Sequence, residues 1–156
     1  AKEMTIRLVM VGKNTRGPVQ DAFEEYVQRM GRMATLEQVV VPEAGRGDPA
    51  YQQRTEGERL LNVLKAGDRV VALDERGTAL TSVGFANQLG KWRDQGVRQA
   101  AFVIGGPYGL SDPVRERADL VLALSAMTFP HQLVRLIFAE QLYRAFSILQ
   151  GSPYHH

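Results

Sequence analysis

Cysteine is absent from all 156 residues. Disulfide scaffolds, thiolate zinc sites and thiol nucleophiles are thereby excluded, and a reducing cytoplasm is the natural setting. No apolar stretch approaches the roughly 20 residues that cross a bilayer. The N-terminus also lacks the charged-then-apolar layout of a secretion signal, so no membrane partner is expected. A charge excess is missing too: 19 Lys and Arg against 17 Asp and Glu leave a net +2. That sum neither demands nor excludes a nucleic-acid partner, because phosphate affinity follows the clustering of cations rather than their total.

Two nucleotide signatures are missing as well. A dinucleotide fold would place G-x-G-x-x-G at the first strand-to-helix turn. Here that turn reads "VGKNTRG", one glycine short. Gly12-Lys13 hints at a phosphate loop, but Asn14 replaces the required Ser or Thr and Arg7 stands where the leading glycine belongs.

The composition that is present, 44% hydrophobic and 23% charged, is that of an ordinary globule. The length suits one domain over residues 1–156. "TIRLVMVG" (5–12) reads as a strand ending in glycine. After it, Val19, Ala22, Phe23, Tyr26, Val27 and Met30 form one apolar stripe at helical spacing. "TLEQVVV" (35–41) is a second strand, and residues 42–50 are a Gly/Pro-rich loop. A charged helix ending in "ERLLNVLKAG" leads to a third strand over 68–77 that breaks at Asp74. A helix over 82–96 buries Phe85, Leu89 and Trp92. "QAAFVIGG" is the fourth strand, a short helix capped by Ser111 or Asp112 follows, and "ADLVLAL" (118–124) is the fifth. The alternation predicts an α/β fold with a mostly parallel sheet flanked by helices. The last helix, from after Pro130 to about Gln150, is apolar around its whole circumference. Such a helix needs cover on every side, which predicts a symmetric partner and a homodimer.

"FVIGGPYGL" (102–110) stops a strand in a turn bearing Gly105, Gly106 and Gly109. Ligands of open parallel sheets sit beyond the carboxyl ends of strands, and glycine lets backbone approach a ligand closely. With no lysine following, the ligand need carry no phosphate; an adenosine with an uncharged or zwitterionic tail suits, though a mere tight turn reads equally well. "LSAMTFPHQLVR" (124–135) adds hydroxyls from Ser125 and Thr128 and apolar walls from Leu124, Met127 and Phe129. Three strand ends, Leu73-Asp74, Gly105-Gly106 and Leu124-Ser125, are expected to converge.

Taken in order, "VVALDERG", "FVIGGPYGL", "LALSAMTFPHQLVR", "AEQLYRAFSI" and the terminal "PYHH" resemble the RlmH family, the small knotted methyltransferases of the SPOUT class that act on large-subunit ribosomal RNA. The likeness runs the whole length. It implies a SPOUT-type sheet with a C-terminal trefoil knot and S-adenosylmethionine as methyl donor, without a metal. It also implies that Leu73, Gly105, Leu124, Ser125, Ala126, Met127, Thr128 and Phe129 hold that donor. The implied reaction is methylation at N3 of a pseudouridine in the helix 69 loop of 23S rRNA, with the 70S ribosome as substrate. Rival readings are another SPOUT enzyme acting on tRNA or a ribose hydroxyl, and a nucleoside- or RNA-binding module without chemistry. A base or an anion-stabilising cation would help the N3 proton leave. The candidates are Arg144, Tyr154 and His155, with His131 behind them, and in related enzymes the tail of one subunit reaches the other's donor site. Arg144 could equally pair with Glu140 four residues earlier. The family commonly ends in a basic residue after "PYH", where this chain has His156. Lys13, Arg16, Arg46 and Arg115 are the candidate RNA-facing cations.

Overall fold

The computed structural model describes residues 4–156. Strands and helices alternate in it: β1 (Thr5–Val11), α1 (Pro18–Met30), β2 (Thr35–Val41), α2 (Pro49–Val63), β3 (Arg69–Ala79), α3 (Ser82–Asp94), β4 (Gln99–Ile104), α4 (Asp112–Arg117), β5 (Leu120–Ala123) and α5 (His131–Leu149). The five strands lie in the order β2-β1-β4-β3-β5 and pair in parallel throughout. Every strand therefore ends on one edge of the sheet, as the predicted α/β architecture requires.

Successive strand residues face opposite sides of a sheet. Ile6, Leu8 and Met10 accordingly join Phe102 and Ile104 under α1, α3 and α5, while Val9 and Val11 join Val70, Ala72 and Val103 under α2 and α4. Both faces are covered, which is why these strands read as near-continuous apolar runs. On the first face Phe85, Phe102 and Phe138 pack as a trio, with ring centroids 4.9 to 6.1 Å apart. They tie α3 and α5 to the central strand β4.

The local grammar departs from expectation in four places. First, α2 starts inside the expected loop: Pro49 fills the first turn, where its missing N–H costs nothing, and Asp48 accepts from Tyr51 N–H at 2.8 Å. Second, Ser111 stands at the start of α4 but makes no capping bond there. Its hydroxyl is instead buried against Gly57, where any side chain would collide with it.

Third, β3 does not end at Asp74. Leu73 and Thr78 both register with Leu122, so residues 74–77 bulge out of the ladder before the strand resumes. Gly77 permits this, because a Cβ there would strike the Val121 backbone. Fourth, α5 is covered from within more fully than its composition suggested. Arg135, Phe138, Ala139, Leu142 and Ala145 are buried, and Val134, Leu136, Tyr143 and Phe146 pack on the same core. A narrow outer stripe remains, with Leu133 and Ile137 half-exposed.

Candidate functional site

At the sheet edge where the strands end lies a cavity of about 690 Å³, within the size range of small-molecule sites. Its walls come from the three expected places: Leu73 to Arg76 on β3, Gly105 to Leu110 after β4, and the chain from Leu122 into α5. Leu73, Gly105, Leu124, Ser125, Met127, Thr128 and Phe129 all line it. Ala126 does not; it is exposed. The Ser125 hydroxyl accepts from Met127 N–H at 3.0 Å, and the resulting tight turn leaves Ala126 outside the wall.

The glycine turn is built from its own backbone. A Cβ on Gly105 would come within 2.8 Å of Gly109 C and 2.9 Å of Gly109 O. Gly109 has φ 79°, a region L side chains rarely adopt, and its N–H donates to Gly106 O at 3.0 Å. The turn thus folds flat on itself and leaves room above.

The bulge in β3 contributes Asp74, expected among the converging strand ends, together with Glu75 and Arg76, which sequence reasoning did not place at the cavity. Asp74 accepts from Arg76 through Nε and Nη2, both at 3.1 Å, and through the backbone N–H at 2.9 Å; Arg115 stands 3.5 Å away. Burial pushes the Asp74 carboxyl up, but the Arg76 hydrogen bonds and the two guanidinium charges outweigh it and hold the group below its ordinary value. A carboxylate therefore stays ionised in a mainly apolar chamber. Thr128 donates to Glu75 at 2.5 Å across the mouth. Met127 and Tyr108 sit on the rim, 73% and 43% exposed.

Arg115 is not a free cation. It lies on α4, half-buried, and donates to Leu110 O and Asp112. Lys13, Arg16 and Arg46 are exposed, as a contact with RNA would require.

Of the residues considered for proton chemistry, only His131 lines the cavity. Burial and then the Arg135 charge hold its imidazole below its ordinary value, hence neutral at pH 7. Arg135 itself is 1% exposed and has no carboxylate partner among the described residues. It donates to the Val11 and Gly12 carbonyls and to Asn14, satisfying the end of β1, and burial pulls it down to about 10.

Arg144, Tyr154 and His155 gather elsewhere, at the far end of α5. Glu140 Oε2 accepts from Arg144 Nη2 and from the Tyr154 hydroxyl, each at 2.7 Å. The Arg144 guanidinium lies 4.9 Å over the Tyr154 ring, and the hydroxyls of Tyr154 and Tyr26 are 3.4 Å apart. Arg144 Nη1 is 3.0 Å from His155 Nδ1. A guanidinium can only donate, so Nδ1 accepts and the ring proton sits on Nε2. Burial, then the bonds to Tyr26 and Glu140, push the Tyr154 phenol well above its ordinary value. The expected pairing of Arg144 with Glu140 is real, and it organises the tail rather than excluding it.

A family model described as "Predicted SPOUT methyltransferase" matches residues 4–155. The chain belongs to that family. This SPOUT family member is 49% identical over 152 residues to the "Ribosomal RNA large subunit methyltransferase H" of Rhodospirillum centenum, covering 97% of this chain and 99% of that protein. It is 40% identical over 156 residues to the protein of the same name from Flavobacterium johnsoniae, covering 98% and 99%. Among solved structures, the "Probable Methyltransferase" of Bordetella pertussis Tohama I superposes with a TM-score of 0.57 at 15% identity, covering 90% of this chain and 95% of that one. The "probable methylase family protein" of Haemophilus influenzae Rd KW20 gives 0.53 at 13%, covering 94% and 66%. These two likenesses concern the fold of this SPOUT chain.

Proposed function

We propose that the chain, as a single domain with the family's knotted C-terminal fold, is an S-adenosylmethionine-dependent methyltransferase. Its target is N3 of a pseudouridine in the helix 69 loop of 23S rRNA, on assembled 70S ribosomes in the cytoplasm. The observation that carries the reading is the cavity at three converging strand ends, in a chain nearly half identical over its full length to proteins named for rRNA large-subunit methylation. S-adenosylmethionine would supply an electrophilic methyl carried on a sulfonium. The residues present fit it. Leu73, Leu124, Met127 and Phe129 offer apolar walls for the adenosine, Ser125 and the glycine-turn backbone offer polar atoms, and ionised Asp74 suits a cationic ligand. No phosphate needs meeting, which agrees with a glycine turn that no lysine follows.

Loss of the N3 proton leaves negative charge on the imide oxygens of the base. The tail cluster is suited to that charge and unsuited to taking the proton. Arg144 is a cation, Tyr154 keeps its proton, and His155 presents Nε2–H. The Arg144 cation and the His155 Nε2–H, held in place by the bond of Tyr154 to Glu140, would stabilise a developing oxyanion, and the proton can leave to water.

Because this cluster lies off the cavity of its own chain, the proposal includes a homodimer in which each tail serves the partner's donor site. Two observations support it: the half-open stripe of Leu133 and Ile137 beside the cluster, and the uncovered rim at Met127 and Tyr108. The test is methyl transfer from isotopically labelled S-adenosylmethionine to intact 70S particles, stripped 23S rRNA and tRNA. Label in 23S rRNA, strongest on 70S particles, is the expected result. Label confined to tRNA, or donor binding without transfer, would overturn the reading.

A further inference from the structure

Glu56 on α2 is 2% exposed, and the chemistry above makes no use of it. Its Oε2 accepts from Ala44 N–H at 3.0 Å, in the loop 42–48. Its Oε1 has no hydrogen-bond partner among the described residues. That oxygen sits directly behind the cavity wall: a Cβ added to Gly106, a lining residue, would come within 2.9 Å of it and 3.1 Å of Val11 Cγ1.

The neighbours on the same face of α2 press on the same turn. Gln53, three residues earlier, donates to Tyr108 O at 2.8 Å, and Gly57 receives the Ser111 hydroxyl where the turn ends. Arg59, three residues later, donates to Pro42 O and Glu43 O, both at 3.0 Å. One helical face thus grips two segments, the loop 42–48 and the turn 105–109, and Glu56 is the residue that touches both.

We propose that Glu56 is a positioning residue for the methyl donor: it clamps the loop 42–48 and the turn 105–109 into one rigid back wall, and so sets how tightly the donor is held. The inference rests on the donor-binding reading above. A buried carboxyl with one bare oxygen resists ionisation, since burying a charge that is not fully paired is costly. The charged groups facing it are Glu43 on the loop and Arg59 on α2. Burial is the largest influence and pushes its carboxyl up; the Ala44 N–H pulls it back, Glu43 pushes it up again and Arg59 opposes, with a net upward shift. The clamp is therefore complete at low pH and weakens as pH climbs through that raised value.

The test is calorimetric titration of the 156-residue protein with S-adenosylmethionine from pH 5 to 9, with steady-state methyl transfer alongside. Glu56→Ala, which removes the acceptor, should raise the Kd by about tenfold or more while turnover at saturating donor changes by less than about threefold. Glu56→Gln keeps an acceptor for Ala44 and carries no charge. Its Kd should stay within about twofold of wild type at the acid end of that range and should not loosen with pH as the wild type does. A merely structural role would not give this split between Kd and turnover, nor rescue by Gln together with a flattened pH profile. An unchanged Kd in a folded Glu56→Ala protein overturns the proposal. If the Ala variant fails to fold, the Gln series decides, and a Gln profile that loosens with pH like the wild type overturns it. Absence of heat with the wild type would instead bring down the donor-binding reading, and this inference with it.

Discussion

His131 and His155 divide the question of proton chemistry between two places about which the geometry makes opposite statements. His131 lines the cavity and is neutral, so it has the state of a base; His155 stands off it and presents a donor. If oxyanion stabilisation from the tail dominates, His155→Ala should lower methyl transfer by about 100-fold or more with donor affinity unchanged. His131→Ala should then act mainly on affinity. The reverse pattern in single-turnover assays would move the chemistry into the cavity of one chain. Gly105→Ala is the sharpest probe of the turn. Its Cβ meets backbone rather than a movable side chain, so donor binding should fall while the far-ultraviolet circular dichroism holds.

The tail cluster has its own pH dependence. Burial pushes Glu140 up, but bonds from Arg144 and Tyr154 hold it net below its ordinary value. Its contribution is therefore present above the usual carboxylate range and is lost as pH falls through the depressed value. Protection of the last five residues from carboxypeptidase should decline on acidification, and Glu140→Gln should abolish that dependence.

At the scale of elements, the sheet was legible because parallel strands covered on both sides must be apolar along their length, and helices between them must show a stripe. The glycine turn was legible for a related reason, that an apolar run cannot end abruptly without a residue free to turn. The bulge at residues 74–77 was not. Asp-Glu-Arg-Gly reads as a strand's end, and only the distant pairing of Thr78 and Ala79 with β5 shows the strand resuming. That omission left Glu75 and Arg76 out of the expected site. Arg135 was opaque in the same way. Helical periodicity places it but cannot say that the carbonyls ending β1 would draw it inside.

Arg7, which spoiled the phosphate-loop pattern, shows what such a residue does instead. It crosses the sheet to donate to Asp68 at 2.7 Å, both side chains being buried, and Asp68 also accepts from Lys65 N–H at 2.9 Å. Asp68→Ala leaves the buried guanidinium with only Val63 O at 3.1 Å and the more exposed Glu37 at 3.5 Å, and should cost about 3 kcal/mol, measured by urea unfolding. Asp68→Asn, which can still accept both bonds, should cost distinctly less.

For the whole molecule, the decisive prediction concerns assembly. Ile137→Glu places a charge on the outer stripe of α5 and should yield a monomer by light scattering that binds the donor yet transfers no methyl. Mixing a protein truncated before Tyr154 with a Gly105→Arg protein should restore activity that neither has alone, because the mixed pair contains one intact cavity and one intact tail. No recovery after subunit exchange would mean that each chain works with its own tail.

Among the described residues, the chamber draws its lining entirely from residues 73 to 134. A ribosome making this protein therefore joins nearly half of the 156 residues before any part of that chamber has been synthesised. A ligand that needs the finished chamber can reward completion of that region but offers no help to its early folding.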